Sequence, residues 1–394
     1  VQSRSPITAS EMHRRWTAVR RAMNGTGLDV ILMQNTSDWV GGYVRWFTDV
    51  PATNGYPRTV LFRREAGMTV VEMGAFDTAR DLSEDDASAS GIERIRGTPS
   101  FVSVGYTNHY EADIVVEELK RIGARSIGLL CPSALPNGLV AALKDSFPEA
   151  LITDVTDLVD TIKAIKSDEE IALIRRVANL QDRVFAEVCD FIRPGLTDID
   201  VANHAQSIAH RLGSDQGIIL GVSAPIGLPA RFLGRHFQSR TIEAGDHMSL
   251  LIEVNGPGGL YSEIARTMVL GSADDALIQA FENVRAAQAH TLSLLKPGMP
   301  AADVARSHDA WMVKHGLPAE RRLYAHGQGV DMVERPLIRR DESMLLDAGM
   351  CLAVHPGYDD GQVFAVICDN YLIVHDGVSE CLHRTEKKIF EIGS

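Results

Sequence analysis

Little in this chain points to an extracellular or membrane-bound life. Only five of its 394 residues are cysteine (Cys131, Cys189, Cys351, Cys368, Cys381), an odd number without C-x-x-C spacing. That excludes a disulfide scaffold and a paired-cysteine zinc module, and the thiols read as reduced. No uninterrupted apolar run reaches the roughly 18 residues that a membrane span needs. The opening VQSRSPITASEMHRRW has no apolar core of signal-peptide type, so the expected location is cytoplasmic. Basic residues are outnumbered, 39 Lys and Arg against 52 Asp and Glu, leaving a formal charge of −13. Such a surface repels phosphate backbones and anionic lipid, so no nucleic acid and no membrane partner is expected.

With 45% hydrophobic and 23% charged residues, the chain has more apolar material than one compact core usually holds, and two domains are expected, residues 1–160 and 161–394. The first reads as a small α/β domain. A helix over Ser10–Gly27 precedes the strand LDVILMQ, further strands are expected at TVLFRR, MTVVEM, SIGLLC and ALITDV, and helices over 111–122 and 136–145. Between the first two strands lies a long aromatic and glycine-rich loop carrying Trp39, Trp46, Tyr56 and Arg58. Loops of this length in compact domains often make contacts with ligands or partner chains.

The second domain starts with a capping box, Ser167-Asp-Glu-Glu170, ahead of a helical pattern reaching Phe191. An internal echo follows. Arg193-Pro-Gly…Asp-Val-Ala202 recurs as Lys296-Pro-Gly…Asp-Val-Ala305, which predicts two related α/β halves with any site at their junction. Between the echoes, Gly245–Thr267 reads as a hairpin, its apolar arms separated by NGPGG and carrying one acid each, Glu253 and Glu263. Further on, His326 stands in the glycine-flanked Tyr324-Ala-His-Gly-Gln-Gly329, His355 ends an apolar run before Pro-Gly, and Cys368 lies in Val363–Asp369, read as one strand. Singly, each has an ordinary structural explanation, a hydrogen-bonded histidine or a small buried thiol.

The order His236, Glu253, Glu263, His326, His355, Cys368 resembles the pita-bread family that includes methionine aminopeptidase, aminopeptidase P, prolidase and creatinase. Four stretches carry the resemblance: the acid-bearing hairpin ending in Arg266-Thr267, His326-Gly-Gln-Gly with Glu334-Arg-Pro, Gly349-Met…His-Pro-Gly357, and Ile367-Cys-Asp369. It implies a pseudo-twofold catalytic domain behind a small α/β domain. It also implies departures. Where metal-dependent members present two aspartates and two glutamates, this chain has Glu253, Glu263, His355 and Cys368. Its hairpin acids are ten residues apart where the family has eleven, and Val333 stands where the peptidases have a second histidine. A thiol in place of a bridging carboxylate disfavours hard cations, so an intact dinuclear centre is not expected.

Three readings of the altered set are open. In the first no metal binds, and the site works as in creatinase: Glu253 or Glu263 activates water or attacks carbon, and His236 shuttles the proton. In the second Glu263, His326, His355 and Cys368 hold one zinc or iron ion, a set that would close a tetrahedral shell. In the third Cys368 is a thiolate nucleophile beside His355. The resemblance also places Tyr56 and Arg58 at a neighbouring subunit's site and Arg335 near a second carboxylate-binding arginine, with Trp39 and Trp46 as walls for a cationic group. The expectation is a homodimeric hydrolase of creatinase type, without the dinuclear metal, cleaving a C–N bond in a small zwitterion. A metal-dependent Xaa-Pro peptidase or dipeptidase, a dimethylsulfoniopropionate-type lyase and an inactive binding homologue are the alternatives.

Overall fold

A computed structural model of the chain describes residues 5–35, 37, 42–51, 53, 55–82, 91–377 and 379–393. It divides into two compact units, Val1–Lys163 and Ala164–Ser394.

In the first unit α1 (Ala9–Thr26) begins at Thr8, whose side chain accepts from the Glu11 N–H, and stops at Gly27. The cap therefore lies two residues before the serine that the sequence suggests. Strand β1 (Val30–Asn35) follows, then α2 (Tyr43–Thr48), β2 (Arg58–Arg63), β3 (Met68–Met73), β4 (Thr78–Asp81), β5 (Ile92–Thr98) and α3 (Asn108–Arg121). The unit continues with β6 (Ser126–Leu129), α4 (Asn137–Ser146) and β7 (Leu151–Asp154), and α5 (Thr156–Ala164) leads out of it. The strands form one sheet in the order β4-β5-β3-β2-β1-β6-β7. Pairs β1/β6, β6/β7 and β3/β5 are parallel, so several strand ends with carboxyl polarity gather on one side. Val30, Leu32, Leu61 and Ile127 of the sheet pack on Ile114, Val115, Leu119 and Leu143 of α3 and α4.

The aromatic stretch expected to be loop contains α2. Its residues from Tyr43 to Thr48 are all buried, because the three aromatic rings of YVRWF are covered from several sides: Phe47 meets Phe62 of β2 with ring centroids 4.8 Å apart, the Arg15 guanidinium of α1 lies over Trp46, and the Tyr43 hydroxyl donates to Asp160 of α5 at 2.6 Å.

The second unit opens with α6 (Asp168–Phe191), closed at its start by the reciprocal Ser167–Glu170 capping box. Leu173, Ile174, Val177, Leu180, Val184, Phe185 and Val188 recur at three- and four-residue intervals and form its buried stripe. Next come α7 (Asp198–Arg211), β8 (Gly217–Leu220), β9 (Ser223–Pro225), and the long hairpin β10 (Asp246–Asn255) and β11 (Tyr261–Val269). Gly258 and Gly259, with φ of 86° and 76°, make the turn that a residue with a Cβ would resist. Gln181 of α6 donates to the Val254 carbonyl at 3.1 Å and to that of Ser262, fixing helix to hairpin.

The other half comprises α8 (Asp275–Leu292), α9 (Ala301–Lys314), β12 (Ala325–Gly327), β13 (Glu334–Leu337), β14 (Cys351–Val354), β15 (Gly357–Asp359), β16 (Phe364–Val366), β17 (Asp369–Ile373) and β18 (Ser379–Cys381). A short β19 (Phe390–Glu391) returns to β11. The sheets run β19-β11-β10-β8 and β13-β12-β14-β17-β18.

The sequence echo is structural. Gly195 N–H bonds Ile242 O and Ile242 N–H bonds Leu196 O; in the second half Gly298 bonds Leu346 and Leu346 bonds Met299 in the same way. Likewise Gly245 donates to Leu270 and Leu270 to Asp246, while Gly349 donates to Ile373 and Ile373 to Met350. These pairs lie 103 or 104 residues apart. Applying the same offset to Ala265 gives Cys368, and these two residues bond reciprocally, N–H to O, at 3.2 and 3.3 Å. The halves are thus related by a pseudo-twofold that passes through this bridge. The next residues of each half, Arg266 and Asp369, form an ion pair at 2.6 Å with both side chains fully buried. Reaching that bridge also splits Val363–Asp369 into β16 and β17, where a single strand is expected from sequence.

Two stability predictions follow from burial. Arg266 also donates to the carbonyls of Ala265, Cys368, Thr385 and Glu386. In Arg266→Met, Asp369 keeps the Gln288 amide at 3.3 Å and the Lys387 ammonium at 3.8 Å, and the Ala265 and Cys368 carbonyls keep each other's N–H. The loss therefore falls on the buried ion pair and on the Thr385 and Glu386 carbonyls, and is expected to lower stability by about 2–4 kcal/mol in urea titrations. In the first unit Glu111 is buried and its pKa is pushed up to about 7 by desolvation, against hydrogen bonds from Thr59 and Gln34. The folded chain therefore keeps a proton that the unfolded chain releases. This contribution is complete below about pH 4.5 and is lost as pH rises through 7, by on the order of 3 kcal/mol. Glu111→Gln should flatten that slope in melting curves taken between pH 5 and pH 8.

Candidate metal centre

The hairpin register sets Glu253 directly opposite Glu263. Side chains alternate along a strand, so directly paired residues share a face. Both acids are buried, at 5% and 4% exposure. A hydrogen-bonded chain ties them together. Gln328 Nε2 donates to Glu253 Oε1 at 2.8 Å, Asn370 Nδ2 donates to Gln328 Oε1 at 2.7 Å, and the Glu263 N–H donates to Asn370 Oδ1 at 2.6 Å. Residues from β11, β17, β10 and the loop after β12 are thereby held in one arrangement.

His326 lies on β12, and the backbone passes so close that a Cβ at Gly327 would sit 2.5 Å from the Arg335 carbonyl oxygen. His326 Nδ1 is 2.9 Å from the Gly327 carbonyl, which can only accept, so Nδ1 carries the hydrogen and Nε2 a lone pair. That Nε2 faces Glu263 Oε2 at 3.7 Å. His355, in the turn after β14, sets its ring edge-on to His326 with centroids 5.2 Å apart. Its backbone N–H is held by the Tyr324 carbonyl.

Glu263, His326 and His355 each offer a ligand atom, and these atoms all lie within 4.8 Å of one another. The donor set fits a divalent ion. One carboxylate and two imidazoles are the ligands of several catalytic zinc sites, which keep a fourth position for water or substrate. The Nδ1 bond to a carbonyl is the outer contact that orients a ligating histidine.

Desolvation dominates the electrostatics. It raises the pKa of Glu253 well above the ordinary carboxylate range, helped by the charge of Glu263 and opposed by the Gln328 amide. It raises Glu263 as well, opposed by the nearby Cys368 thiol and Arg322. His326 is lowered by burial, and His355 more so, by burial, by His326 and by Arg322. Two neutral imidazoles beside two acids suit ligands awaiting a cation.

The remaining candidates lie elsewhere. Cys368 is outside this trio: its thiol donates to the Glu263 carbonyl at 3.5 Å, and burial with the flanking acids holds its pKa well above normal, which opposes a thiolate nucleophile. Of the four side chains expected to share an ion, three therefore offer ligand atoms within 4.8 Å of one another. His236 is exposed in a turn, ring edge against Phe237. Arg335 is engaged by Glu342 at 2.5 Å. In the first unit Arg58 binds Glu72 at 2.9 Å and the Pro51 carbonyl, and Tyr56 is 40% exposed beside Phe101. Trp46 is a correction: it is no pocket wall but a core side chain, 1% exposed, packed on Phe47 with the Arg15 guanidinium over its ring. Trp39 lies outside the described residues.

Sequence reasoning passes over three residues. Gln328 stands inside the His-Gly-Gln-Gly motif, and Asn370 directly follows Ile-Cys-Asp; polar residues embedded in apolar strands are the available signal. Arg322, which pairs with Glu320 at 2.8 Å and donates to the His355 carbonyl at 3.3 Å, has only the charged run Glu320-Arg-Arg to mark it.

The model for metallopeptidase family M24 matches residues 172–375. The chain belongs to that family. Among its relatives, an uncharacterized peptidase YqhT of Bacillus subtilis is 25% identical over 333 residues, covering 83% of this chain and 90% of that one. Probable dipeptidase PepE of Mycobacterium tuberculosis is 28% identical over 237 residues, 58% of this chain and 62% of that protein. An X-Pro aminopeptidase from Thermotoga maritima superposes with a TM-score of 0.78 over 96% of this chain and 99% of that one, at 17% identity, which establishes a shared fold. The two-domain M24 architecture expected from the sequence is therefore the observed one.

The network makes a specific prediction. Asn370→Ala removes the acceptor for a buried N–H and the donor to Gln328, and should cost about 1–3 kcal/mol in urea titrations. Asn370→Asp restores the acceptor but adds another buried carboxyl beside Glu253, Glu263 and Asp369, and is expected to be no better.

Proposed function

We propose that this M24 protein hydrolyses a C–N bond in a small peptide or peptide-like carboxylate, with one divalent ion held by Glu263, His326 and His355. The observation carrying this reading is the convergence of those three ligand atoms within 4.8 Å, with the tautomer of His326 already fixed. The named dipeptidase and aminopeptidase relatives support peptide C–N bonds as the target class. A bound ion would supply Lewis-acid polarisation of a carbonyl and an acidified water. The chain supplies the rest. Glu253, oriented by Gln328 and biased toward its protonated form, holds the proton destined for the leaving nitrogen and is the general acid. Gln328 and Asn370 keep that acid facing Glu263. Arg322 adds positive charge beside His355 and favours its neutral, ligating form.

A second reading rests on the same shifts. Two acids biased toward protonation and two neutral imidazoles also make a site that carries little net charge without an ion. That suits a creatinase-like hydrolase of a small zwitterion, with Tyr56 and Arg58 reaching the site of a neighbouring subunit in a homodimer.

Metal analysis of purified protein divides the two. One equivalent per chain is expected, with turnover lost on chelation. His355→Ala should weaken metal binding at least about tenfold, while Glu253→Gln should retain the metal and lose about 10²–10⁴ in kcat. Full turnover by metal-free protein on a small amidine or lactam would overturn the first reading in favour of the second.

A further inference from the structure

A polar cavity lies wholly within the first unit. It occupies about 250 Å³ and is lined by Gln34, Pro57, Ser100, Val102, Asn108, Glu111, Ala134, Leu135 and Pro136. Gln34 is at the carboxyl end of β1, Ser100 follows β5, residues 134–136 follow β6, and Asn108 and Glu111 belong to the first turn of α3. The crevice beyond the carboxyl ends of parallel strands is where open α/β sheets bind ligands. Asn108, exposed at its mouth, both donates and accepts, but the two buried polar side chains, Glu111 and Gln34, turn acceptors to it. Glu111 is 4% exposed, and its hydrogen-bond partners Gln34 and Thr59 are both neutral, so among the described residues no cation is bonded to this buried carboxyl. Gln34 is 3% exposed, and while its Nε2 serves Thr59 and Glu111, its Oε1 is buried without a partner. The Ser100 hydroxyl hydrogen is directed to the Thr107 carbonyl, and its oxygen accepts from the Thr98 hydroxyl at 3.2 Å. The opposite wall, Pro57, Val102, Leu135 and Pro136, is apolar.

We propose that this crevice binds a small organic cation, a primary ammonium or amidinium with a short apolar body, through the Glu111 carboxylate and the Gln34 Oε1. An ammonium donates and never accepts, so it answers both unfilled acceptors and supplies the counter-charge that Glu111 lacks. The raised pKa of Glu111 agrees with a carboxyl awaiting a cation. The proposal stands apart from the metal reading, because it concerns binding alone.

The test is calorimetric titration of the full chain at pH 8 with methylammonium, isobutylammonium and acetamidinium chlorides, and with isobutanol as the neutral isostere. At least one cation should bind saturably, and isobutanol should not. Glu111→Gln should weaken that binding roughly tenfold or more, and Leu135→Trp, which fills the apolar end, should abolish it. Treatment with EDTA should leave it unchanged, which separates it from the Glu263 cluster. Circular dichroism establishes that each variant is folded; if one is not, the other and the isobutanol comparison still decide. No saturable binding of any cation at millimolar concentration, equal binding of isobutanol, persistence in both variants, or loss on EDTA treatment would each overturn the proposal.

Discussion

The second unit depends on what happens where its halves meet. Ala265 and Cys368, equivalent residues of the two halves, exchange backbone hydrogen bonds, and the neighbouring Arg266 and Asp369 neutralise each other with no access to water. A buried pair of this kind is costly to form and costlier to break, because either partner alone is an uncompensated charge. It therefore acts on register more than on net stability. A slip of one residue at this seam would turn every side chain of β11 to the opposite face. Glu263 would then leave His326, and Asn370 would lose the Glu263 N–H. The positions of the candidate ligands are consequences of that seam.

The chemistry of the cluster follows from where the seam puts it. Carboxyls and imidazoles in a dry interior are each driven toward neutrality, and the shifts at Glu253, Glu263, His326 and His355 all run in that direction. Such groups repel charge individually yet accept a shared cation readily, since ligation requires imidazole lone pairs that burial has already freed. Glu253 differs from the other three. It lies across from Glu263 but is bonded to the Gln328 amide, which on the reading proposed above gives it the proton and its partner the ion.

Much of this is legible in the order of the amino acids alone. The periodic stripe from Leu173 to Val188, the capping box at Ser167 and the glycine turn of the hairpin are local signals, and local physics decides them. The displaced Pro-Gly…Asp-Val-Ala echo announces the two halves. What fails to show are features set by tertiary contact. The segment from Tyr43 to Thr48 looks like a loop because it is short and follows glycines; coverage by the sheet, α1 and α5 together makes it a helix. Cys368 looks like a ligand by its place in the chain, but the bridge to Ala265 directs its thiol to a carbonyl. Gln328 and Asn370 escape notice because amides have no titration signature, and their importance lies in which partners they join. Trp46 misleads for a related reason: an aromatic ring near glycines fits a pocket wall and a core equally well until its neighbours are known.

On the correspondence that the family resemblance implies, the exchanges at the ligand positions are coordinated. Replacing a carboxylate by His355 removes a negative charge, and replacing another by Cys368 removes a second, since burial keeps that thiol protonated. A dinuclear centre needs bridging carboxylates to offset four positive charges, and this site has two acids, one of them held by an amide. The charge remaining balances one ion at most, and the geometry gathers three ligand atoms for it. Lengthening both hairpin acids to glutamate fits that balance: a longer arm on Glu263 reaches a pair of imidazoles, while the opposite arm reaches Gln328. On the reading proposed above, the residues present at these positions suit one ion and one proton.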